Sequence, residues 1–415
     1  MQTVAEASRS VLANIRRLEV VEVDLAACVG QVLARGIAAR TSMPPWDNSS
    51  MDGYAVRSTD VTGATSGTPV RLKVTGDIPA GAFAPHALAS GEAMQIMTGA
   101  PIPDGADCVV RLEDTDRGMT TVSITAAAAA GKNIRYAGED FKKGDVVLHA
   151  DTPIHPPHIG VLASLGVSSV PVFRAPRVAI ISSGDELTDL SGYDEVTAGK
   201  KIVSSNNYTL AALIREAGAI PIDLGIASDS IESLREKLEQ AKDCDLIITS
   251  AGVSVGEKDF TREAVDQLGG KHIFWKVRMR PGAPLAFGTV HGKPWLGVSG
   301  NPVSAMVSFI LFAKPAIRKM MGHSLLFHAM RTARAEELIE TPAPLTHFLR
   351  GIVAGGTSES TVRLSGSQSS GVMTALARAN ALIVVPGDVQ RIPAGGTVQC
   401  IPINGDSMMS ETFGL

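Results

Sequence analysis

The chain has 415 residues with 38 basic and 42 acidic side chains, a formal net charge of −4. That length exceeds one ordinary hydrophobic core, and the near-balanced charge gives no reason to expect nucleic acid or an acidic membrane as partner. Hydrophobic residues make up 45%, and Cys28, Cys108, Cys244 and Cys400 stand far apart without a C-x-x-C pair, so several domains with reduced, buried thiols in a cytoplasm are expected.

Residues 4–18 place Val4, Val11, Leu12, Ile15 and Leu18 on one helical face, which predicts an amphipathic N-terminal helix within 1–18 rather than a signal peptide. Segments 19–41 and 147–174 read as a linking domain, the second carrying a short helix, "PPHIGVLASLG", with Pro early and Gly166 at its end. Between them, 42–146 is rich in Gly and Pro. Its short runs "PVRLKVTG", "AMQIMTGA", "CVVRLED" and "TVSIT" predict a β-rich domain.

From 175 to 326 the texture changes. "RVAIISS", "AIPIDLGIA" and "CDLIITS" read as strands, separated by the helical stretches "NNYTLAALIREAG" and "SIESLREKLEQA". After the helix "EKDFTREAVDQLG" come the strands "HIFWKVRM", "PLAFGTV" and "KPWLGVS" and one long helix, "PVSAMVSFILFAKPAIRKMMG". This alternation predicts a mostly parallel α/β sheet covered on both faces. The apolar run "SAMVSFILFA" stops at Lys314 and Pro315, short of the ~20 residues a bilayer requires. From 327 to 415 the chain returns to short strands, predicting a small C-terminal β-barrel.

The chemistry concentrates at strand ends. "TSAGVSVGEKDF" follows a strand and enters a helix, with glycines that suggest a phosphate loop. A Walker-type reading fails, because Gly252 and Gly256 are one residue too close and Glu257 stands where the lysine belongs. The position still suits an anion, and a carboxylate beside it, Asp259, suggests a divalent metal bridging to phosphate; a plain Gly turn with a helix-stabilising Asp is the competing reading. "SSGDEL" puts Asp185 and Glu186 in a second strand-end loop. Asp229 lies in a third, where helix capping competes. Lys276, Arg278 and Arg280 recur at every second residue and would share one strand face. "GVSGNPVSAM" makes another turn into a helix, with Pro302 early in it.

In the β-rich region, "PPWDNSSMDGYAV" crowds Asp47 to Asp52 around an Asp-Gly turn signal, and Thr98, Glu139 and Asp140 sit beside loop glycines. "HPPH" at 155–158 is a weak metal motif, since the prolines oppose helical i,i+3 presentation and no other His or Cys is near in sequence. No G-x-S-x-G, H-E-x-x-H or dinucleotide fingerprint occurs.

Taken in order, "DNSSMDGYAV", "IMTGAPIPDGAD", "IRYAGEDFKKGD", "SSGDEL", "SAGVSVGEKDF", "RPGAPLAFG" and "SGNPVSA" resemble the successive signatures of the MoeA family, the molybdopterin molybdenumtransferases, to which the gephyrin E domain is related. The resemblance covers essentially the whole chain. It implies four domains, an adenylyltransferase-like α/β molybdopterin-binding domain among them, in an elongated cytoplasmic homodimer. It implies Mg2+ as the divalent ion, with molybdate and adenylylated molybdopterin as substrates and AMP released. Molybdopterin adenylyltransferase and molybdoenzymes are the implied working partners.

By position, the resemblance assigns the catalytic set Asp259, Glu186, Asp229, Asp140, Asp52 and Thr98, with Asp52 and Thr98 supplied by the second subunit. Asp259, Glu186 and Asp229 are the implied metal carboxylates. Ser250, Gly252, Ser254, Gly256, Lys276, Arg280, Gly300, Asn301, Pro302 and Ser370 are the implied substrate-binding residues. Four positions depart from the family pattern: Ala251 stands where a glycine is usual, Arg280 replaces a lysine, Ala283 deletes a cation and Ser299 replaces a proline. A carrier of molybdopterin without catalysis, or an adenylyltransferase of the same α/β type, are the other readings the residues leave open.

Overall fold

The computed structural model describes residues 1–251, 260–342, 344–355 and 360–403. The chain divides into two compact units: Met1–Ala34, Asp151–Ile159 and Ser169–Leu415 form one, and Arg35–Ala150 with Gly160–Ser168 the other.

The first unit is built on a six-stranded sheet. Its strands are β1 (Arg177–Ser183), β2 (Ile220–Ala227), β3 (Leu246–Ser250), β4 (Lys271–Lys276), β5 (Pro284–Val290) and β6 (Lys293–Val298), in the spatial order β2-β1-β3-β6-β5-β4. The pairs β1/β2, β1/β3 and β3/β6 are parallel, and β5 and β4 add an antiparallel edge. β3 is buried along its whole length, as a parallel strand covered on both faces must be. Alternation sorts its neighbours: Val178, Ile180, Leu246 and Ile248 enter one core, while Ala179, Ile181 and Ile247 enter the other.

Helices α1 (Ser205–Glu216), α2 (Ile231–Gln240) and α3 (Phe260–Gln267) accompany the sheet. The long helix expected after β6 runs from Pro302 to Met320 but widens to a π-helical stretch at Phe309–Ala313. Pro315 follows at once; it has no N–H for the carbonyl one turn back and its ring crowds that carbonyl, so a wider turn relieves the clash.

The N-terminal helix is shorter than its apolar face, Val4–Ala13, and is opened by a capping box between Thr3 and Glu6. Ile15 is nevertheless buried in the same core as Ala7 and Val11, and Leu18 N donates to Met320 O at 2.9 Å. The chain then runs through Val20–Asp24, paired antiparallel with Ser169–Phe173. At the C-terminal end, Arg331–Ala335, Thr346–Gly355, Ser360–Leu364, Ala381–Val385 and Thr397–Pro402 close into a five-stranded barrel around Ala333, Val362, Ile383 and Cys400.

The second unit holds a five-stranded sheet in the order Cys108–Arg111, Gly53–Val56, Glu92–Ile96, Val70–Ile78, Thr121–Ile124. Four of these strands follow the expected runs. The fifth, Gly53–Val56, begins directly at the Asp-Gly turn signal and is not among those runs. Here the glycine serves close packing: a Cβ on Gly53 would lie 2.0 Å from the Val110 carbonyl oxygen. The four cysteines are free and buried, as expected; burial pushes the Cys108 thiol up to about 12.

Candidate functional site

A cleft of about 460 Å3 opens at the C-terminal ends of β1, β3 and β6, where Ser183, Ser250 and Ser299 end or follow their strands and Ser182 precedes the last residue of β1. This is the edge at which open α/β sheets bind ligands. Glu186 reaches it from the loop after β1. Gly184 makes that possible: it adopts φ +147°, and a Cβ there would meet the Glu186 carboxylate at 2.6 Å. Glu186 is exposed and, among the described residues, has no cationic partner and is the one carboxylate lining the cleft.

Asp185 and Asp229 hold the same loop from below. Asp229 N donates to Asp185 Oδ1 at 3.2 Å, and Asp185 N donates to Asp229 Oδ2 at 3.4 Å. The capping that competed for Asp229 falls to Ser230, whose hydroxyl accepts from Ser233 N. Asp229 therefore braces the residue preceding Glu186 and does not itself line the cleft.

Two asparagines that no motif announced brace the site, Asn206 on the cleft lining and Asn207 bonded to the lining serines Ser182 and Ser204. Asn206 Nδ2 donates to Ser250 Oγ at 2.7 Å and to Gly300 O at 2.8 Å, tying the end of β3 to the turn after β6. Its Oδ1 is buried without a partner among the described residues. Asn207 Nδ2 donates to Asp223 Oδ1 at 2.7 Å, while its Oδ1 accepts from Ser182 Oγ and from Ser204 Oγ. The only sequence signal was a polar "SSNN" at the start of a helix.

Gly300, Asn301 and Pro302 line the cleft together with Ser250 and Ala251. Ala251 adopts φ +81°, the left-handed conformation that makes its departure from glycine unfavourable. Ser299, standing where a proline is usual, closes its turn instead of loosening it: its hydroxyl accepts from Asn301 N at 3.3 Å. Ser370 joins through its backbone, its carbonyl accepting from Val303 N at 3.4 Å. Behind it the buried Arg350 donates to the carbonyls of Ser367 and Ser369 at 3.0 and 3.1 Å.

The three cations do not share a strand face. β4 ends at Lys276, Val277 turns back to donate to Ala283 O, and Arg278 N donates to Gln2 O. Arg280 belongs to a separate strand, Met279–Arg280, paired with Thr346–His347 of the barrel. Neither Lys276 nor Arg280 lines the cleft. Period-two spacing misled because the backbone leaves the extended conformation between them.

In the second unit the structure brings Asp52 and Thr98 together. Asp52 Oδ1 accepts from Thr98 N at 2.7 Å and Thr98 Oγ1 at 2.8 Å, and these bonds hold its carboxyl below the usual range. Asp140 is exposed, its N–H donating to Met43 O. Gly252, Ser254, Gly256 and Asp259 lie outside the described residues.

Among the described residues no group of three or more His, Cys, Asp or Glu is placed to hold a metal. In the HPPH stretch, His158 Nδ1 accepts from His155 N. A Mg2+ site asks less of the protein, one or two carboxylates with the remaining positions left to water and phosphate. Glu186, exposed and unpaired among the described residues, fits that requirement.

The segments match three family descriptions: "MoeA N-terminal region (domain I and II)" over residues 2–166, "Probable molybdopterin binding domain" over 179–319, and "MoeA C-terminal region (domain IV)" over 332–403. The chain is 39% identical over 405 residues to molybdopterin molybdenumtransferase 2 of Mycobacterium tuberculosis, covering 96% of this chain and 99% of that protein. The chain belongs to the MoeA family. A molybdopterin molybdenumtransferase of Staphylococcus aureus is 34% identical over 412 residues, 98% of this chain and 97% of the relative. The crystal structure of the molybdopterin biosynthesis moeA protein from Pyrococcus horikoshii superposes with a TM-score of 0.83 at 30% identity, covering 97% of this chain and 100% of that one. In this MoeA-family chain every residue that lines the cleft lies within the segment matched as a molybdopterin-binding domain, and Ser370 of the C-terminal region meets it only through the hydrogen bond to Val303 N.

Proposed function

We propose that this MoeA-family chain, a transferase of molybdenum cofactor biosynthesis, inserts molybdate into adenylylated molybdopterin and releases AMP. The observation that carries this reading is the cleft itself: hydroxyl- and amide-lined, at parallel strand ends, with one carboxylate, unpaired among the described residues, on its lining. A pure carrier would have little use for such a carboxylate, and the C-terminal barrel and β-rich unit exceed what an adenylyltransferase of the α/β type needs.

In this reading Glu186, supported from below by Asp229, and Asp259 are the carboxylates toward Mg2+. When bound, the ion would neutralise phosphoanhydride charge and stabilise the charge that develops as the P–O bond breaks. Ser250 with Gly252, Ser254 and Gly256 of its loop, and Gly300, Asn301 and Pro302, orient the phosphates. Lys276 and Arg280 supply long-range positive charge from outside the cleft lining, and Ser370 steadies the turn at Val303.

Asp140 belongs to the same set, and Asp52 and Thr98 complete it from the partner copy of a homodimer. Molybdopterin adenylyltransferase would supply the substrate and molybdoenzymes receive the product, in the cytoplasm; among the described residues no helix is long and apolar enough to cross a membrane. The test is direct: purified protein, adenylylated molybdopterin and Mg2+ are mixed, molybdate is added and AMP is followed. Molybdate-stimulated AMP release is expected; tight pterin binding without it would leave a carrier.

A further inference from the structure

The two asparagines at the start of α1 set opposite hydrogen-bond polarities on two walls of the cleft. The Asp223 carboxylate only accepts, so the Asn207 atom 2.7 Å from it is Nδ2, and the amide orientation is settled by chemistry. Gly225 N donates to the same Asp223 oxygen at 2.9 Å and holds it in place. Asn207 Oδ1 then faces Ser182 Oγ and Ser204 Oγ, and both hydroxyls must donate to it.

A serine hydroxyl has one proton. With that proton committed to Asn207, Ser182 and Ser204 can offer the cleft they line only lone pairs. Both are buried, at 1% and 4% exposure, so water does not compensate a mismatched group there. The Ser250 side has the reverse polarity. Gly300 O also only accepts, which fixes the Asn206 Nδ2, and Ser250 Oγ accepts from that same nitrogen. Among the described residues the Ser250 proton therefore has no acceptor and stays available to donate.

We infer that Ser182 and Ser204 are specificity-determining residues that read the donor edge of the substrate's heterocycle, the amino and ring N–H groups of the pterin pyrimidine ring, with Asn207 and Asp223 as their positioning residues. Phosphate oxygens, which only accept, are directed to the Ser250 side. The acceptor wall is not a second metal site: Mg2+ dehydrates reluctantly and takes carboxylates and phosphates rather than buried neutral hydroxyls. This assignment rests on the molybdopterin reading above and adds the direction in which the substrate lies.

The test uses two fluorescent probes that differ at one group. Pterin carries an amino donor on the pyrimidine ring, and lumazine carries a carbonyl acceptor at the same place. In titrations of the full chain, pterin should bind roughly ten-fold or more tightly than lumazine, because a buried acceptor left facing an acceptor is heavily penalised. Asn207→Leu should bring that ratio close to one, and Ser204→Ala should lower it several-fold. In the AMP-release assay Asn207→Leu should raise KM while leaving kcat within about two-fold, the mark of lost binding rather than lost chemistry.

Circular dichroism checks that each variant is folded; should Asn207→Leu not fold, Ser204→Ala carries the test alone. Equal binding of the probes by the unmodified protein, binding of neither at millimolar concentration, or an unchanged ratio in the folded variants would overturn the assignment. AMP release without discrimination would sink the subsite alone, and discrimination without AMP release would sink the transferase reading alone.

Discussion

The methyl group of Ala251 faces Gly300: a Cβ built on Gly300 would lie 3.2 Å from it. Ala251 itself sits at φ +81°, a conformation in which an L side chain costs roughly 1–2 kcal/mol. Two turns of the cleft thus meet at a point where one side chain is already strained and a second would crowd it.

Ala251→Gly should therefore raise stability by about 1 kcal/mol, read as a higher denaturation midpoint at unchanged m-value. Gly300→Ala should destabilise the unmodified protein and do so less in the Ala251→Gly background, with a coupling of about 0.5–1 kcal/mol in the double-mutant cycle. Additive effects would mean that the two turns do not press on each other.

Arg174 and Asp245 form a bidentate pair, both contacts at 2.9 Å, and Arg177 N adds a third bond to the carboxylate at 2.8 Å. Burial would raise the Asp245 carboxyl, but hydrogen bonds from Arg174 and Arg177 outweigh it and hold the group below the usual range. A carboxylate with a lowered folded pKa binds protons more readily when unfolded, so its contribution is complete above the unfolded value near pH 4 and disappears as pH falls through the folded one. Asp245→Asn should cost about 2–4 kcal/mol at neutral pH and flatten the acid limb of the stability profile. An acid limb as steep as that of the unmodified chain would refute the assignment.

Glu186→Gln removes a cleft-lining charge that is exposed and, among the described residues, unpaired. It should lower kcat roughly 100-fold and raise the Mg2+ concentration needed for half-maximal AMP release, with an unchanged melting curve. Near-normal turnover would remove Glu186 from the metal set.

Subunit mixing tests the proposed homodimer. Asp52→Ala and Glu186→Ala should each be inactive alone. In a C2 dimer with shared sites, random exchange makes half the dimers mixed, and each mixed dimer has one site free of both changes. About a quarter of the unmodified activity should return. No recovery after demonstrated exchange would place Asp52 and Glu186 in separate roles.

The α/β strands were legible because burial on both faces of a parallel sheet writes nearly continuous apolar runs, and "RVAIISS" and "CDLIITS" can hardly be read otherwise. The barrel strands were legible from alternation and punctuation. Glu186, Ser250 and the 300–302 turn were found because strand ends in such sheets are where ligands bind. What could not be read were contacts made across the fold. Asn206 and Asn207 are ordinary polar residues at a helix start until the sheet places Gly300 and Asp223 beside them. The break between Lys276 and Arg280 depends on Gln2, more than 270 residues away in sequence, taking the hydrogen bond of Arg278. The steric need for glycine at 53 could not be read either, since it comes from the neighbouring strand, where a Cβ would meet the Val110 carbonyl.

That neighbouring strand has a consequence for how damage to the site would present itself. Asp52 is the last residue before a strand whose first Cα is pressed against the Val110 carbonyl, so its location is dictated by a backbone-to-backbone fit that tolerates no side chain. A substitution at Gly53 would shift the adjacent carboxylate and break its bond to Thr98 while touching no substrate. If Asp52 has the proposed role, a genetic screen would score such a change with the catalytic losses, although its origin is steric and lies on the far side of the peptide bond from the carboxylate.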